Sequence, residues 1–236
     1  MTAARRRAVG IIGGMGPEAT CTLFQKIIRA TPARSDQEHL HLIVNCDPSV
    51  PDRTEALLER GESPVAKLTA SARLLEGAGA QLLAMPCVTA HAFIEPVRAA
   101  VGVPLVSLVE ETVRAVNEQC DLARCVGLLA TDGTLKLGVF NSLGERRRMI
   151  VPDSTRQADV MAAIYGPHGV KTVGPNAEAT RLLAVVAAEL VERGAEVLVA
   201  GCTEIPLALA AGDVAVPLVD TLEVLARAVV REAMAE

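Results

Sequence analysis

Apolar residues along this chain gather into short runs separated by longer stretches of helical spacing. The runs lie near 8–12, 41–45, 81–85 and 104–107, and again near 125–130, 149–151, 196–200 and 217–219. Each predicts a short strand. Between them, apolar positions recurring at three and four residues predict helices over 19–30, 64–76, 92–100, 109–118, 177–193 and 222–234. Short apolar strands alternating with helices imply parallel sheets joined by right-handed crossovers.

The pattern repeats. Arg7-Ala8-Val9-Gly10-Ile11-Ile12 is echoed by Arg124-Cys125-Val126-Gly127-Leu128-Leu129. Gly79-Ala80-Gln81-Leu82-Leu83-Ala84-Met85-Pro86-Cys87 matches Gly194-Ala195-Glu196-Val197-Leu198-Val199-Ala200-Gly201-Cys202, with the same step from Gly to Cys. Val103-Pro104-Leu105-Val106 pairs with Val216-Pro217-Leu218-Val219, so the offsets are 117, 115 and 113 residues. Three segments agreeing in order and nearly in spacing point to a duplicated unit. The fold class expected is α/β, with two similar domains related by pseudo-twofold symmetry and the active site between them. Each domain is a short four-stranded, mainly parallel sheet flanked by helices. The first is expected over 1–104 plus 217–236 and carries Cys87; the second, over 105–216, carries Cys202.

Composition narrows the picture. Half of the 236 residues are apolar, yet Phe24, Phe93, Phe140 and Tyr165 are the only aromatic side chains, so the interior must be aliphatic. Lys and Arg number 23 against 28 Asp and Glu, a net charge of −5 that argues against a polyanion-binding surface. Nucleic acid is not expected as a partner. No apolar run approaches the roughly 20 residues that span a bilayer. The basic triplet Arg5-Arg6-Arg7 leads into only a few apolar residues before Gly13-Gly14. No membrane partner is expected, and the chain reads as cytoplasmic. Six cysteines without a CxxC or a framework spacing read as free thiols. Cys21, Cys46, Cys120 and Cys125 read as small core hydrophobes.

Cys87 and Cys202 read differently, because each stands directly after a strand at the equivalent place of its half. Ligands of parallel sheets sit beyond the carboxyl ends of the strands. A thiol there, opening a helix, is expected to have its pKa lowered by the helix dipole. One thiolate can take a proton from a carbon and the opposite thiol can return one to the other face, which inverts a stereocentre. The pair therefore suggests a racemase or epimerase. No lysine offers an obvious anchor for pyridoxal phosphate. Thr89 and His91 follow the first cysteine, and Thr203 and Glu204 the second, where hydroxyls and backbone N–H groups could hold a carboxylate. His91 and Glu204 are candidates for tuning their neighbouring thiols.

Two other signals weigh less. Gly14-Met15-Gly16-Pro17-Glu18-Ala19 fits the loose form of a dinucleotide-binding turn, but no acidic residue ends a second strand about 20 residues on. Pro17 suits a helix start, and the loop, with Met15, is expected to cup the substrate. The four histidines, 39, 41, 91 and 168, show no metal spacing, so no metal is expected.

The motifs resemble a known family. Ile12-Gly13-Gly14-Met15-Gly16-Pro17-Glu18-Ala19-Thr20, Asp36-Gln37-Glu38-His39, Val50-Pro51-Asp52-Arg53-Thr54, Met85-Pro86-Cys87-Val88-Thr89-Ala90-His91 and Gly201-Cys202-Thr203-Glu204 are similar, in order, to those of aspartate racemases of the aspartate/glutamate racemase family. The resemblance implies a two-domain α/β homodimer that interconverts L- and D-aspartate without pyridoxal phosphate, metal or nucleotide. It implies Cys87 and Cys202 as the catalytic acid/bases. It gives Thr89, Thr131 and Thr203 to the α-carboxylate, and Arg53, with Lys171, to the side-chain carboxylate. One position departs from the family: Val88 stands where an asparagine usually donates hydrogen bonds to substrate, and valine has no polar atom to replace it. Alternatives therefore stay open: glutamate, other amino acids or a related acid such as hydantoin or maleate as substrate, or a homologue that binds an acidic amino acid without turning it over.

Overall fold

A computed structural model describes residues 6–235; Arg5 of the basic triplet lies outside them. Its elements run β1 (Val9–Gly13), α1 (Pro17–Ala30), β2 (Leu42–Cys46), α2 (Arg53–Leu57), α3 (Val65–Gly77), β3 (Leu82–Ala84), α4 (Ile94–Arg98), β4 (Leu105–Val106) and α5 (Leu108–Gln119). There follow β5 (Cys125–Leu129), α6 (Asp132–Lys136), β6 (Arg148–Ile150), α7 (Ser154–Tyr165), α8 (Val170–Val173), α9 (Ala177–Glu192), β7 (Val197–Ala200), α10 (Ile205–Ala208), β8 (Leu218–Asp220) and α11 (Thr221–Met234). The chain divides into two units. One holds the described residues up to Glu111 together with Leu222 onward; the other is Thr112–Thr221.

Each unit is built on a four-stranded parallel sheet, ordered β2-β1-β3-β4 in the first and β6-β5-β7-β8 in the second. The α/β class, the four-strand count and the parallel sense are as the sequence predicts. The breaks between units fall later than expected at both crossings. Leu105 and Val106 pair with Leu83 and Ala84, which ties β4 to the first sheet, and Leu218–Asp220 pairs with Leu198–Ala200, which ties β8 to the second.

The repeat extends to atomic contacts. Gly10 and Gly127 occupy the same place in the two central strands. A Cβ on Gly10 would lie 2.7 Å from Leu83 Cδ2, 2.9 Å from Ala80 Cβ and 3.0 Å from Leu75 Cβ. A Cβ on Gly127 would meet Leu198 Cδ2 at 2.6 Å, Ala195 Cβ at 3.1 Å and Leu190 Cβ at 3.4 Å. The same three atoms from corresponding residues press on the same spot, so only glycine fits at either place.

Helix ends follow local chemistry. Pro17 opens α1, which buries Ala19, Leu23 and Ile27 at helical spacing. Asn176 caps α9 by accepting from the amides of Glu178 and Ala179, and the helix buries Ala179, Leu183, Val186, Ala187 and Leu190. The single helix expected over 92–100 is instead a 3₁₀ turn, Thr89–Phe93, followed by α4. Of the cysteines read as core, only Cys125 is buried; Cys21 and Cys46 are exposed and Cys120 is intermediate. The last helix returns to the first unit: Lys26 Nζ lies 3.1 Å from Glu223 Oε2, Arg231 Nη2 2.7 Å from Glu111 Oε1, and the Arg7 amide donates to the Ala233 carbonyl. Among the described residues no helix is long and apolar enough to cross a membrane.

Candidate active site

In the first unit, β1 and β3 are neighbours, so the loops leaving their carboxyl ends lie side by side. The β1 loop is tightly folded. Gly14 has φ +96°, and a Cβ there would fall 2.2 Å from the Asp47 carbonyl oxygen, a place only glycine can take. The Thr20 hydroxyl accepts from the Gly14 amide at 3.0 Å and donates to the Gly16 carbonyl at 2.9 Å, which pins the loop to α1. Met15 is buried within it. Arg53, the first residue of α2, is buried as well. Its guanidinium donates to the carbonyls of Val50 (3.2 Å), Pro51 (3.0 Å) and Met15 (3.2 Å), and so ties the loop after β2 to the loop after β1. Asp52 caps α2 by accepting from the Glu55 amide, which sets the backbone from which Arg53 departs.

Cys87 leaves β3 after Met85-Pro86 and is 5 % exposed; Val88 beside it and Thr89 after it are buried. The His91 imidazole reaches back to the Cys87 carbonyl with Nδ1 at 2.8 Å. The Leu108 amide donates to Nε2 at 3.0 Å, so Nε2 is the bare nitrogen and Nδ1 carries the proton it gives to Cys87. Burial lowers the His91 pKa to about 4. Both ring nitrogens are thus engaged with backbone, and His91 braces the cysteine's peptide group against the start of α5.

The second unit repeats the plan. β5 and β7 are neighbours, and their loops bring Thr131 and Cys202 to one edge. Gly201 makes this possible: its amide donates to the Leu129 carbonyl at 2.7 Å, and a Cβ on it would fall 2.9 Å from that oxygen. Thr131 is buried and caps α6, its hydroxyl 3.4 Å from the Thr134 amide and 3.1 Å from the Thr134 hydroxyl.

Cys202, 4 % exposed, belongs to a charged chain of contacts. Its thiol donates to Glu204 Oε2 at 3.0 Å, and the Thr203 hydroxyl donates to the same oxygen at 3.2 Å. Glu204 Oε1 accepts from Lys171 Nζ at 2.8 Å, and that ammonium stands 5.6 Å from the centre of the Tyr165 ring. Lys171 is therefore a half-buried ion-pair partner of Glu204. Burial, and after it the Glu204 charge, push the Cys202 pKa well above the ordinary thiol value, with Lys171 pulling the other way. This overturns the expected lowering by a helix dipole at Cys202. The helix that follows, α10, has four residues, too few to build a macrodipole that outweighs burial.

One polar residue of this edge escaped the sequence reading. Gln157, on α7, donates from Nε2 to the Ala130 carbonyl at 3.0 Å and to Asp132 Oδ1 at 2.8 Å, bracketing Thr131. The available signal was Asp153, an N-cap ahead of a polar first turn. Among the described residues no three His, Cys, Asp or Glu side chains gather as a metal ion would require.

Comparison with known proteins bears on this arrangement. The sequence profile of the Asp/Glu/Hydantoin racemase family matches residues 12–229. The chain is 25 % identical over 230 residues to the broad specificity amino-acid racemase RacX of Bacillus subtilis (strain 168), covering 94 % of this chain and 96 % of that one. Its fold superposes on the aspartate racemase of Picrophilus torridus with a TM-score of 0.85 at 29 % identity, covering 96 % and 94 % of the two chains. An aspartate racemase homologue from Pyrococcus horikoshii OT3 gives a TM-score of 0.73 at 25 % identity, covering 97 % of this chain and all of that one. Twin parallel sheets, each with a buried cysteine past its third strand in sequence, thus coincide with a profile match spanning nearly the whole chain: the protein belongs to the Asp/Glu/Hydantoin racemase family and is an isomerase of the racemase kind.

Proposed function

We propose that the protein interconverts L- and D-aspartate by a two-base mechanism in which Cys87 and Cys202 act on one α-carbon. The observation that carries this reading is the equivalence of the two cysteines. Each is buried, each leaves the corresponding strand of its own four-stranded sheet, and each is followed within two residues by a buried threonine. One thiolate removes the α-proton, the carbanion's charge spreads into the α-carboxylate, and the other thiol delivers a proton to the opposite face. The Thr89, Thr131 and Thr203 hydroxyls and their neighbouring amides receive the α-carboxylate. Arg53, whose charge is anchored at the β1 and β2 loops, receives the side-chain carboxylate. Burial and Glu204 hold the Cys202 thiol protonated, so Cys202 rests as a proton donor. Lys171, bonded to Glu204, offsets part of that rise and eases the reverse direction. By the same likeness the enzyme works as a cytoplasmic homodimer; exposed Phe24 and Ile28 on α1, with Val44 on the edge strand β2, supply apolar surface for a partner copy.

The test is exchange in deuterated solvent. Wild-type protein incorporates solvent deuterium at Cα of aspartate while racemising it, and Cys87→Ser and Cys202→Ser each lose racemisation. Retained racemisation in either variant overturns the scheme. A second reading, a wider range of amino acids, is favoured by the buried apolar Val88 and by the broad specificity of the Bacillus relative. Neutral amino acids exchanged as fast as aspartate in the same assay would favour it.

A further inference from the structure

Gln157 has a carboxamide whose orientation its neighbours dictate. Both partners of Nε2, the Ala130 carbonyl and the Asp132 carboxylate, can only accept, so the amide nitrogen must face them and Oε1 must face away. That oxygen is buried and meets no donor. A buried acceptor left without a donor is costly and rare in a folded protein. Gln157 is held in this state by two good hydrogen bonds, so the orphan is maintained rather than incidental.

Its location explains what it serves. Ala130 and Asp132 flank Thr131 at the carboxyl end of β5. Ala130 Cβ lies 3.2 Å from where a Cβ on Gly201 would stand, and Gly201 leads directly into Cys202. The carboxamide therefore belongs to the edge that carries Thr131 and the Cys202 thiol, where parallel sheets take their ligands. An acceptor beside the Asp132 carboxylate repels an anion and attracts a donor, above all a cationic one. Of the groups on an α-amino acid zwitterion, only the ammonium qualifies.

We infer that Gln157 is a substrate-binding residue whose Oε1 receives the α-ammonium group, selecting amine-bearing acids over dicarboxylates that lack an amine. The inference rests on the amino-acid reading of the site given above. It also completes a division of labour: the threonines take the α-carboxylate, Gln157 the amine, and the Cα–H bond is left to the cysteines. Fixing two of the four substituents orients the hydrogen.

Gln157→Met, of similar length but without an acceptor, tests it against two ligands, aspartate and succinate, the same dicarboxylate without the amine. Loss of one charge-assisted hydrogen bond should raise KM for aspartate about tenfold or more. The kcat should fall less, and calorimetric affinity for succinate should match the wild type, which also shows the variant is folded. Equal losses for both ligands would mean that the amide only braces the Thr131 loop; no loss for either would mean that Oε1 does not face the ligand. Each result overturns the inference. On the unaltered enzyme, aspartate should bind at least about tenfold more tightly than succinate, and equal affinities would also sink it. Failure of the racemase reading looks different, as a wild-type protein that exchanges no amino acid α-proton whatever its affinities.

Discussion

The imidazole of His91 is neutral because it is buried and because each nitrogen already has a backbone partner. The unfolded ring takes up a proton near 6.5 and the folded ring only near 4. The unfolded state therefore binds more protons throughout that interval, and stability is lost as pH falls through it. At about 1.4 kcal/mol per pH unit the loss reaches about 3 kcal/mol at the lower end. Denaturant unfolding across this interval should show the decline, and His91→Gln should flatten it; identical slopes in the two proteins would exclude His91 as the source. Glu204 is the second residue whose charge matters beyond its own position. Glu204→Gln removes the anion that accepts from Cys202, so the thiol's pKa should drop and its alkylation by iodoacetamide at mildly alkaline pH should quicken severalfold. At this scale the repeat singles out the cysteines as candidates in the sequence, and resemblance the threonines and Arg53. The sequence could not show that Lys171 pairs with Glu204, since the two stand 33 positions apart and the stretch between them carries no sign of the contact.

Elements were legible in proportion to their periodicity. The eight strands lie within about a residue or two of the apolar runs; the central ones, β1, β3, β5 and β7, are buried along their whole length and so read as unbroken apolar segments. Long amphipathic helices such as α1 and α9 were equally plain. α2, α6, α8 and α10, with four or five residues each, are too short to display a helical period. α7 was missed for another reason: its buried apolar residues, Val160, Ala163 and Ile164, all fall in its second half, behind a polar opening. The paired glycines yield a prediction that belongs to the elements. Gly10→Ala and Gly127→Ala should each destabilise the protein by about 1–3 kcal/mol, by overpacking against the crossing helix and the neighbouring strand. Because their surroundings match, the two costs should be alike when measured by denaturant unfolding. A large cost at one site and none at the other would show that the two cores tolerate strain differently.

For the whole molecule, the repeat revealed two sheets of one design, and the structure returns them with identical strand order. Where the chain passes from one unit to the other was harder to read. An edge strand of two or three residues carries too little pattern to announce which sheet it joins, and only its hydrogen bonds to β3 or β7 decide the matter. The passage is made twice, so the second unit interrupts the first, and α11 comes home to pack Leu222, Leu225, Ala226, Val229 and Ala233 into buried positions. During synthesis on the ribosome this imposes an order of events. The later-encoded unit is a single continuous stretch and can close as soon as it has emerged, whereas the earlier-encoded one must wait, its buried seat for α11 open to water, until α11 itself has emerged.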